Sequence, residues 1–244
     1  MRAIILAAGM ATRLRPLTND TPKCLLEING VPLLKRSMDA IVAAGIRDFV
    51  IVTGFRKEKT ERFVCQTYGD AISVTFIHNP LYETTNNIYS LWLAQPEAAG
   101  RDILLLDSDL LYDPRIIRHV TEHGADNVLT LIRHELGEEE MKVVTGNDGN
   151  ITAISKTCNP AEAEGESLGI EKMSAAYTKA LFAELDTMMN REHLENKFYE
   201  LAFERLIPQG HSFKTLDVTA FYSCELDTVD DFLQAEKLIA DIEH

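Results

Sequence analysis

The first half of the chain alternates apolar runs of strand length with segments of helical periodicity. The apolar runs cover residues 2–8, 48–55, 73–79 and 102–113, and the helical segments cover 32–45, 58–69 and 87–98. Runs that are apolar throughout indicate strands buried on both faces, so this pattern predicts a parallel sheet with helices on both sides. Right-handed crossovers then bring the loops that follow the strands to one edge, where such sheets bind ligands.

The second half shows a more mixed pattern. Strands are predicted at residues 127–135, 140–156 and 212–219, with a turn at 147–150, and helices at 174–190, 198–207 and 228–244. We see no linker, internal repeat or low-complexity segment between the halves. We therefore expect one domain over residues 1–244, built from an N-terminal half (1–125) and a C-terminal half (126–244).

Composition and charge narrow the function classes. The chain has 244 residues, of which 45% are hydrophobic and 25% charged, as expected of a globular protein with a substantial core. Its net charge of −14 argues against nucleic acids and anionic membranes as partners, because both require clustered cations. The four cysteines form no CxxC pair, and the first apolar run is a short strand that enters a glycine turn rather than a signal peptide. We expect a reduced, cytoplasmic protein.

The segment after the first strand combines small residues with cations. Ala7, Ala8 and Gly9 allow the backbone to approach a ligand closely and present N–H groups to an anion. On this turn alone, a structural loop and a phosphate-binding loop are equally supported. Arg13 and Lys23 in the same short segment favour phosphate, since arginine binds it bidentately and lysine as a point charge.

Carboxylates follow the strand predicted at 102–113. Asp107 and Asp109 are separated by one residue, which in a strand projects both side chains to the same side. Two like charges repel unless a cation joins them, so this pair favours a Mg²⁺ site. The alternative role, capping of the next helix, fits Asp113 before Pro114. For Asp227 the capping role is the stronger one in isolation, but it would complete the Mg²⁺ site if its loop returned to the sheet edge.

A polar turn precedes the helix predicted at 87–98. Thr85, Asn86 and Asn87 can form hydrogen bonds with the edge of a base. Tyr89 and Trp92 follow at helical spacing, where core packing is the commoner role for aromatic side chains. We therefore expect the turn to contact a ligand and leave the role of the two aromatic residues open.

The stretch "AIILAAGMATRLRPLTNDTPKCLLEINGVPLL" resembles the signature of the nucleotidyltransferases that make NDP-sugars and CDP-alcohols. The resemblance implies an α/β fold, a Rossmann-like (GT-A-like) three-layer sandwich with a mostly parallel central sheet and a smaller acceptor-side α+β lobe. Residues 1–125 would bind the nucleotide, and residues 126–244 would bind the acceptor and end in the C-terminal helix. The chain departs from the family at Ala11, where a second glycine is usual.

The same resemblance implies roles for individual residues. By position they are backbone contacts to the nucleotide at Ala7, Ala8 and Gly9; triphosphate contacts from Arg13 and Lys23; Mg²⁺ ligation by Asp109 and Asp227, helped by Asp107; and binding of the acceptor phosphate by Lys156. Because the attacking phosphate oxygen is already ionised, the implied chemistry needs no general base and depends on positioning and charge neutralisation.

Four further stretches indicate the branch of the family. "NNIYSLW" resembles bacterial phosphocholine cytidylyltransferases, and "SDLLYDP", "ESLGIEKMS" and "FYELAFERL" are similar to 2-aminoethylphosphonate cytidylyltransferases. This implies CTP as donor and a small zwitterion as acceptor: phosphocholine, phosphoethanolamine or 2-aminoethylphosphonate. A quaternary ammonium favours aromatic faces and carboxylates. The candidates for that role are Tyr89, Trp92, Tyr199, Glu200 and Tyr222.

The expected function is therefore Mg²⁺-dependent transfer of CMP from CTP to such an acceptor, with release of pyrophosphate. Two alternatives stay open: a sugar-1-phosphate nucleotidylyltransferase that uses UTP, GTP or dTTP, and a non-catalytic nucleotide sensor with the same fold. The sequence leaves the oligomeric state open, with a homodimer among the options, and predicts no nucleic-acid or membrane partner.

Overall fold

The computed structural model describes residues 1–243 and is built around one mixed sheet of nine strands. The strands of the chain are β1 (Arg2–Ala7), β2 (Glu27–Ile28), β3 (Val31–Pro32), β4 (Asp48–Thr53), β5 (Ser73–His78), β6 (Ile103–Asp107), β7 (Leu110–Tyr112), β8 (Val128–Ile132), β9 (Lys142–Thr145), β10 (Ile151–Ser155), β11 (Gly165–Met173), β12 (Lys214–Asp217) and β13 (Ser223–Glu225). The helices are α1 (Leu33–Ala43), α2 (Lys57–Tyr68), α3 (Asn87–Leu93), α4 (Gln95–Ala98), α5 (Arg115–Glu122), α6 (Ala175–Asn190), α7 (Glu200–Leu206) and α8 (Val229–Glu243).

The main sheet has the strand order β10-β9-β11-β6-β1-β4-β5, and β8 lies between β11 and β12. Strands β1, β4, β5, β6, β8, β9 and β12 run in one direction, and β10 and β11 run in the other. The mostly parallel sheet predicted from the apolar runs is therefore confirmed. Both halves of the chain contribute strands to this sheet.

Helices cover both faces of the sheet, which makes three layers. Along β1, Ile4 and Leu6 face the cluster that includes α3, α6 and α7, and Ala3 and Ile5 face the cluster that includes α1 and α5. All these side chains are at least nine-tenths buried. Burial on both faces explains why the sequence shows uninterrupted apolar runs instead of alternation.

A third, smaller cluster holds α8 against the rest of the molecule. It joins Ile239 of α8 to Ile28 of the β2–β3 hairpin and to Leu111 of β7. His244, the last residue of the predicted terminal helix, lies outside the described residues. No helix within residues 1–243 combines the length and the apolarity needed to cross a bilayer.

Two predicted elements are each split in the structure. The strand predicted at 102–113 ends at Asp107 as β6, and the chain then bends before β7, which pairs with β13 instead of the main sheet. The helix predicted at 87–98 breaks after Leu93, and α4 starts with Pro96 in its first turn. Proline lacks an N–H and fits a helix start better than a helix interior, so the break follows from Pro96.

Candidate active site

Three carboxylates come together beyond the carboxyl end of β6. Asp109, Glu225 and Asp227 each offer one oxygen, and these oxygens lie within 4.8 Å of one another. Antiparallel pairing of β13 with β7 brings the C-terminal segment back to this edge, and the Leu226 N–H donates to the carbonyl of Asp109 at 3.0 Å. The loop that carries Asp227 therefore returns to the sheet edge, which is the condition under which Asp227 could complete a Mg²⁺ site.

Lys23 bridges two of these carboxylates. Its Nζ donates to Asp109 Oδ2 at 2.9 Å and to Asp227 Oδ1 at 2.8 Å, and Arg13 forms an ion pair with Asp227. Burial of Lys23 lowers its pKa, but the charges of Asp109 and Asp227 outweigh this effect, and the net pKa lies above its ordinary value. Lys23 is therefore a buried ammonium in contact with the carboxylates.

The electrostatics differ among the acidic side chains. Desolvation works to raise the pKa of Asp227, but Lys23 and Arg13 lower it below its ordinary value. Desolvation of Glu225 in the cleft, together with the charges of Asp109 and Asp227, raises its pKa to about 8. Three close oxygen donors, one of which has its pKa raised by desolvation and by the charges of the other two, form the kind of set that binds a hard divalent cation such as Mg²⁺.

Asp107 has different partners from Asp109. The argument that a strand projects both side chains to the same side does not apply, because β6 ends at Asp107 and the chain bends at the next two residues. Asp107 Oδ2 instead accepts a hydrogen bond from the Tyr199 hydroxyl at 3.0 Å, and Asp107 is not part of the three-carboxylate group. Gly169 of β11 packs close to it: a Cβ there would lie 2.9 Å from Asp107 Oδ2.

The loop after β1 has a left-handed residue at Ala11, with φ of 46°. The carbonyl of Ala11 accepts hydrogen bonds from Thr18 Oγ1 at 2.8 Å and from the Leu14 N–H at 3.1 Å. Left-handed backbone is adopted most easily by glycine, which gives a physical reason for the family's glycine at this position. A Cβ built on Gly9 would meet no atom within 4 Å, so the backbone there is open to a ligand.

Two adjoining cavities, each of about 290 Å³, meet at the carboxylates. The first cavity is lined by all the predicted nucleotide and triphosphate contacts, namely Ala7, Ala8, Gly9, Thr85, Asn86, Asn87, Arg13 and Lys23. The second is lined by the predicted acceptor residues Lys156 and Glu200, together with Phe198 and further glutamates. Asp107, Asp109, Glu225 and Asp227 line both cavities and so lie between the two compartments.

A buried asparagine organises the polar turn. Asn79 Nδ2 donates to Thr85 Oγ1 at 3.1 Å. Asn86 caps α3, since its Oδ1 accepts from the Asn87 N–H at 2.7 Å, and Asn87 Oδ1 accepts from the Tyr199 N–H at 3.0 Å. The side-chain oxygens of both asparagines are thus used within the fold, while the residues still line the first cavity.

The aromatic candidates lie away from the cavities. Tyr89 and Trp92 stack with ring centroids 5.4 Å apart and pack against the core cluster. Tyr199 is fully buried, and Tyr222 packs in the cluster around α8. None of these four residues lines either cavity. The structure therefore does not bring them together as an aromatic site for an ammonium group.

Lys156 and Glu200 do lie together in the wall of the second cavity. Lys156 Nζ lies 4.7 Å from the centroid of the Phe198 ring and 3.5 Å from Glu139 Oε2. Glu200 is 6% exposed, and its Oε2 is buried without a hydrogen-bond partner among the described residues. Burial raises the pKa of Glu200 to about 7, against the opposing charge of Lys156.

Three residues of this region are missing from the site predicted from the sequence: Glu225, Asn79 and Phe198. Glu225 had a readable signal, because it stands two residues before Asp227, the same spacing that singled out Asp107 and Asp109. Asn79 and Phe198 had no such signal, because the hydrogen bond from Asn79 to Thr85 and the contact of Phe198 with Lys156 are seen only in the structure.

Comparison with known proteins identifies the family. The model of the family described as nucleotidyl transferase matches residues 2–156, more than half of the chain. This chain is a member of the nucleotidyl transferase family. The family resemblance predicted from the sequence is thereby confirmed, and the predicted three-layer fold agrees with the sheet and helices described above.

Individual relatives agree with this assignment. The choline-phosphate cytidylyltransferase of Streptococcus pneumoniae is 39% identical over 110 residues, which cover 45% of this chain and 46% of that protein. The 2-aminoethylphosphonate cytidylyltransferase of Lancefieldella rimae is 34% identical over 109 residues, covering 45% of this chain and 43% of that protein. The matched segments thus span less than half of each relative.

A solved structure of CTP:phosphocholine cytidylyltransferase from Streptococcus pneumoniae is 24% identical to this chain, has a TM-score of 0.83 and covers 98% of both chains. At this identity the likeness shows the fold alone. In this nucleotidyl transferase, the segment matched by the family includes Arg13, Lys23, Asp109 and Lys156. Asp227 lies beyond it, in the segment that β13 returns to the sheet edge.

Proposed function

We propose that this nucleotidyl transferase is a Mg²⁺-dependent cytidylyltransferase. It would transfer CMP from CTP to a small amino-alcohol phosphate or phosphonate and release pyrophosphate. One observation carries this proposal: the group formed by Asp109, Glu225 and Asp227 lies in the wall shared by two adjoining cavities. A reaction that joins a nucleotide to a second substrate needs its charge-neutralising groups between the two sites.

The first cavity suits the nucleotide. Gly9 leaves its backbone open, and Arg13 and Lys23 supply positive charge beside it. Thr85 and the neighbouring asparagines place hydrogen-bonding groups on another wall of the same cavity. These features match the needs of a triphosphate at one end and a base at the other.

Asp109, Glu225 and Asp227 would hold Mg²⁺, since their oxygens are close enough to share one ion and are hard donors. When bound, the ion supplies charge neutralisation for the α-phosphate and the acceptor oxygen. The CTP specificity is supported by the cytidylyltransferase names of the two relatives described above.

The chain's own groups position the reactants. Lys156 would hold the phosphoryl or phosphonyl group of the acceptor, and Arg13 and Lys23 would stabilise charge on the departing pyrophosphate. An acceptor oxygen forms a bond to the α-phosphorus while the bond from that phosphorus to the oxygen bridging to the β-phosphorus breaks. The attacking oxygen is ionised at neutral pH, so no side chain needs to remove a proton, and catalysis comes from positioning and charge.

A screen for pyrophosphate release tests this function. CTP, UTP, GTP and dTTP are each combined with phosphocholine, phosphoethanolamine, 2-aminoethylphosphonate and glucose 1-phosphate in the presence of Mg²⁺. We expect turnover with CTP and the amine-bearing acceptors. Strong turnover of glucose 1-phosphate would instead assign a sugar nucleotidylyltransferase, and CTP binding with no pyrophosphate from any pair would assign a non-catalytic sensor.

Substitution of Lys23 tests the assignment of the site. We expect Lys23→Ala to lower kcat/KM by at least ~100-fold, the scale of losing one positioned electrostatic donor. The matched control is Lys35→Ala, which removes a partly exposed lysine of α1 that pairs only with the nearby Asp39 among the salt bridges of the described residues. Near-normal turnover of the Lys23 variant would remove this residue from the catalytic site.

A further inference from the structure

We propose that the acceptor carries a primary ammonium group bound by Glu200, and that the second cavity discriminates against a quaternary ammonium. This inference rests on the proposed cytidylyl transfer and names the acceptor class within it. The acceptor would therefore be of the aminoethyl phosphate or aminoethylphosphonate type rather than phosphocholine.

The charge of the second cavity favours a cationic acceptor. Its wall includes eight carboxyl groups but only two cationic side chains, Arg13 and Lys156, among the described residues. Three of the carboxylates, Asp109, Glu225 and Asp227, form the proposed metal site. The other five carboxyl groups outnumber the two cationic side chains, so this wall offers favourable opposite charge to a cationic end of the acceptor and none to an uncharged end.

Most of the other glutamates in this wall already have partners. Glu166 contacts His134 Nε2 at 2.7 Å, and Glu140 accepts from the Gly137 N–H at 2.8 Å. The side chain of Glu139 is 93% exposed and faces Lys156. Glu200 differs from all of these, because it is 6% exposed and its Oε2 lacks a hydrogen-bond partner within residues 1–243.

A buried carboxylate without a donor is costly, and a ligand that supplies one relieves the cost. A primary ammonium offers three N–H donors together with its charge. A trimethylammonium offers charge but no donor, and methyl groups would then face the desolvated oxygen. Glu200 therefore distinguishes the two head groups by hydrogen bonding.

The second cavity also lacks what a quaternary ammonium needs. Such a group is held by several aromatic faces. Among the described residues, Phe198 is the single aromatic side chain in the wall of this cavity, and its ring already lies 4.7 Å from the ammonium of Lys156. Two of the aromatic candidates for an ammonium site, Tyr89 and Trp92, pack against the core instead.

The test is a series of acceptors that differ only in N-methylation. Phosphoethanolamine, its N-methyl and N,N-dimethyl derivatives and phosphocholine are assayed with CTP and Mg²⁺ for pyrophosphate release. We expect kcat/KM to fall by roughly 10- to 100-fold across the series, the scale of a lost charged hydrogen bond, with the largest step when the last N–H is removed. Equal or faster turnover of phosphocholine would overturn this inference and leave the proposed function standing.

If turnover is absent, a binding measurement distinguishes the proposed function from the proposed preference for a primary ammonium. Titration calorimetry with the α,β-methylene analogue of CTP and Mg²⁺ measures the affinity for phosphoethanolamine and for phosphocholine directly. Failure to turn over any acceptor would remove the proposed function. Tighter binding of phosphoethanolamine in that experiment would still support the preference for a primary ammonium, and equal binding would contradict it.

A variant assigns the preference to Glu200. We expect Glu200→Gln to lower kcat/KM for phosphoethanolamine at least 10-fold more than for ethyl phosphate, which lacks the amine. The control is Glu204→Gln, on the same helix but lining neither cavity, which should leave the ratio unchanged. An equal loss for both acceptors would show a structural role for Glu200. If the variant fails to fold, the methylation series on the unmodified protein still decides the preference.

Discussion

Ala11 has a left-handed backbone conformation in the loop that opens the first cavity. Its side chain makes this conformation unfavourable by roughly 1–2 kcal/mol, and glycine would remove that strain. Glycine also increases the entropy of the unfolded chain, which costs about 0.4–1 kcal/mol. The strain term is the larger of the two, so the family's glycine should be slightly better here than alanine.

We therefore expect Ala11→Gly to raise the free energy of unfolding by up to about 1 kcal/mol. Urea denaturation measures this change. The control is Ala99→Gly, at an exposed position with an ordinary φ of −61°, where only the entropy term acts and stability should fall. Equal losses in the two variants would show that the conformation of Ala11 is not strained.

Glu171 is a buried acid at the centre of the sheet. It is fully buried in β11, and neither carboxyl oxygen has a hydrogen-bond partner among the described residues. Burial, together with the charges of Asp107 and Glu200, raises its pKa well above the ordinary value of 4.5. In the folded protein this carboxyl is therefore neutral at pH values where the unfolded chain has already lost the proton.

The pH dependence of stability follows from this difference. Above pH 4.5, folding takes up a proton at Glu171. The stabilisation that Glu171 contributes to the folded state is therefore complete below pH 4.5 and is lost as the pH rises from there towards the folded pKa. The slope is about −1.4 kcal/mol per pH unit for one proton. We expect Glu171→Gln to lack this component, so its stability relative to the unmodified protein should improve between pH 5 and pH 8 in urea denaturation.

The other buried acids titrate in both the Glu171→Gln variant and the unmodified protein, so their effects on the free energy of unfolding cancel when the two profiles are compared. Parallel stability profiles for the two proteins would mean that Glu171 does not change its protonation on unfolding in this range. A difference that grows with pH would confirm the neutral acid at the centre of the sheet.

At the level of elements, periodicity predicted the buried strands and the amphipathic helices of the first half, because each is encoded by a local pattern. It missed β11, although this strand is nine residues long and lies next to β6. Glu166, Glu171 and Lys172 give β11 a polar composition, and Gly169, with φ of +78°, interrupts its register. The partner of the buried Lys172 is distant in sequence, since its Nζ donates to the carbonyl of His123 at 2.6 Å.

The candidate site shows the same limit. The segments around Ala7–Gly9, Arg13, Lys23 and Asp109 were readable because small residues, cations and carboxylates recur at short spacing. The pairing of β13 with β7 was not readable, since both strands have only three residues. This pairing is what brings Glu225 and Asp227 to Asp109.

Contact between two loops at the sheet edge depends on Gly54, which follows β4. A Cβ at Gly54 would lie 2.4 Å from the carbonyl oxygen of Ala8 and 2.7 Å from Cβ of Tyr82. Both neighbours line the first cavity. We expect Gly54→Ala to push these loops apart, to lower the free energy of unfolding by about 1–3 kcal/mol and to raise KM for CTP.

Urea denaturation and initial-rate kinetics measure the two effects. Gly124→Ala is the matched control, because a Cβ there meets no atom within 4 Å, and both stability and KM should change little. If Gly54→Ala left KM for CTP unchanged while stability fell, the approach of the two loops would serve folding alone.

At the scale of the whole molecule, the site joins the two halves of the chain. Arg13, Lys23 and Asp109 come from residues 1–125, and Glu225 and Asp227 from residues 126–244. The main sheet also draws strands from both halves. A ligand bound at the carboxylates therefore contacts both halves at once, and its binding energy should stabilise the molecule as one unit.

We expect CTP with Mg²⁺ to raise the stability of the entire chain in a single transition. At a concentration 100 times Kd, a ligand adds about 2.7 kcal/mol, which for a chain of this size raises Tm by about 5–10 °C. Differential scanning calorimetry measures the shift, and Asp109→Asn should lose the part that depends on Mg²⁺ because one oxygen ligand loses its charge. Two transitions, with only one shifted by the ligand, would instead show that the halves unfold independently and that the shared sheet does not couple them.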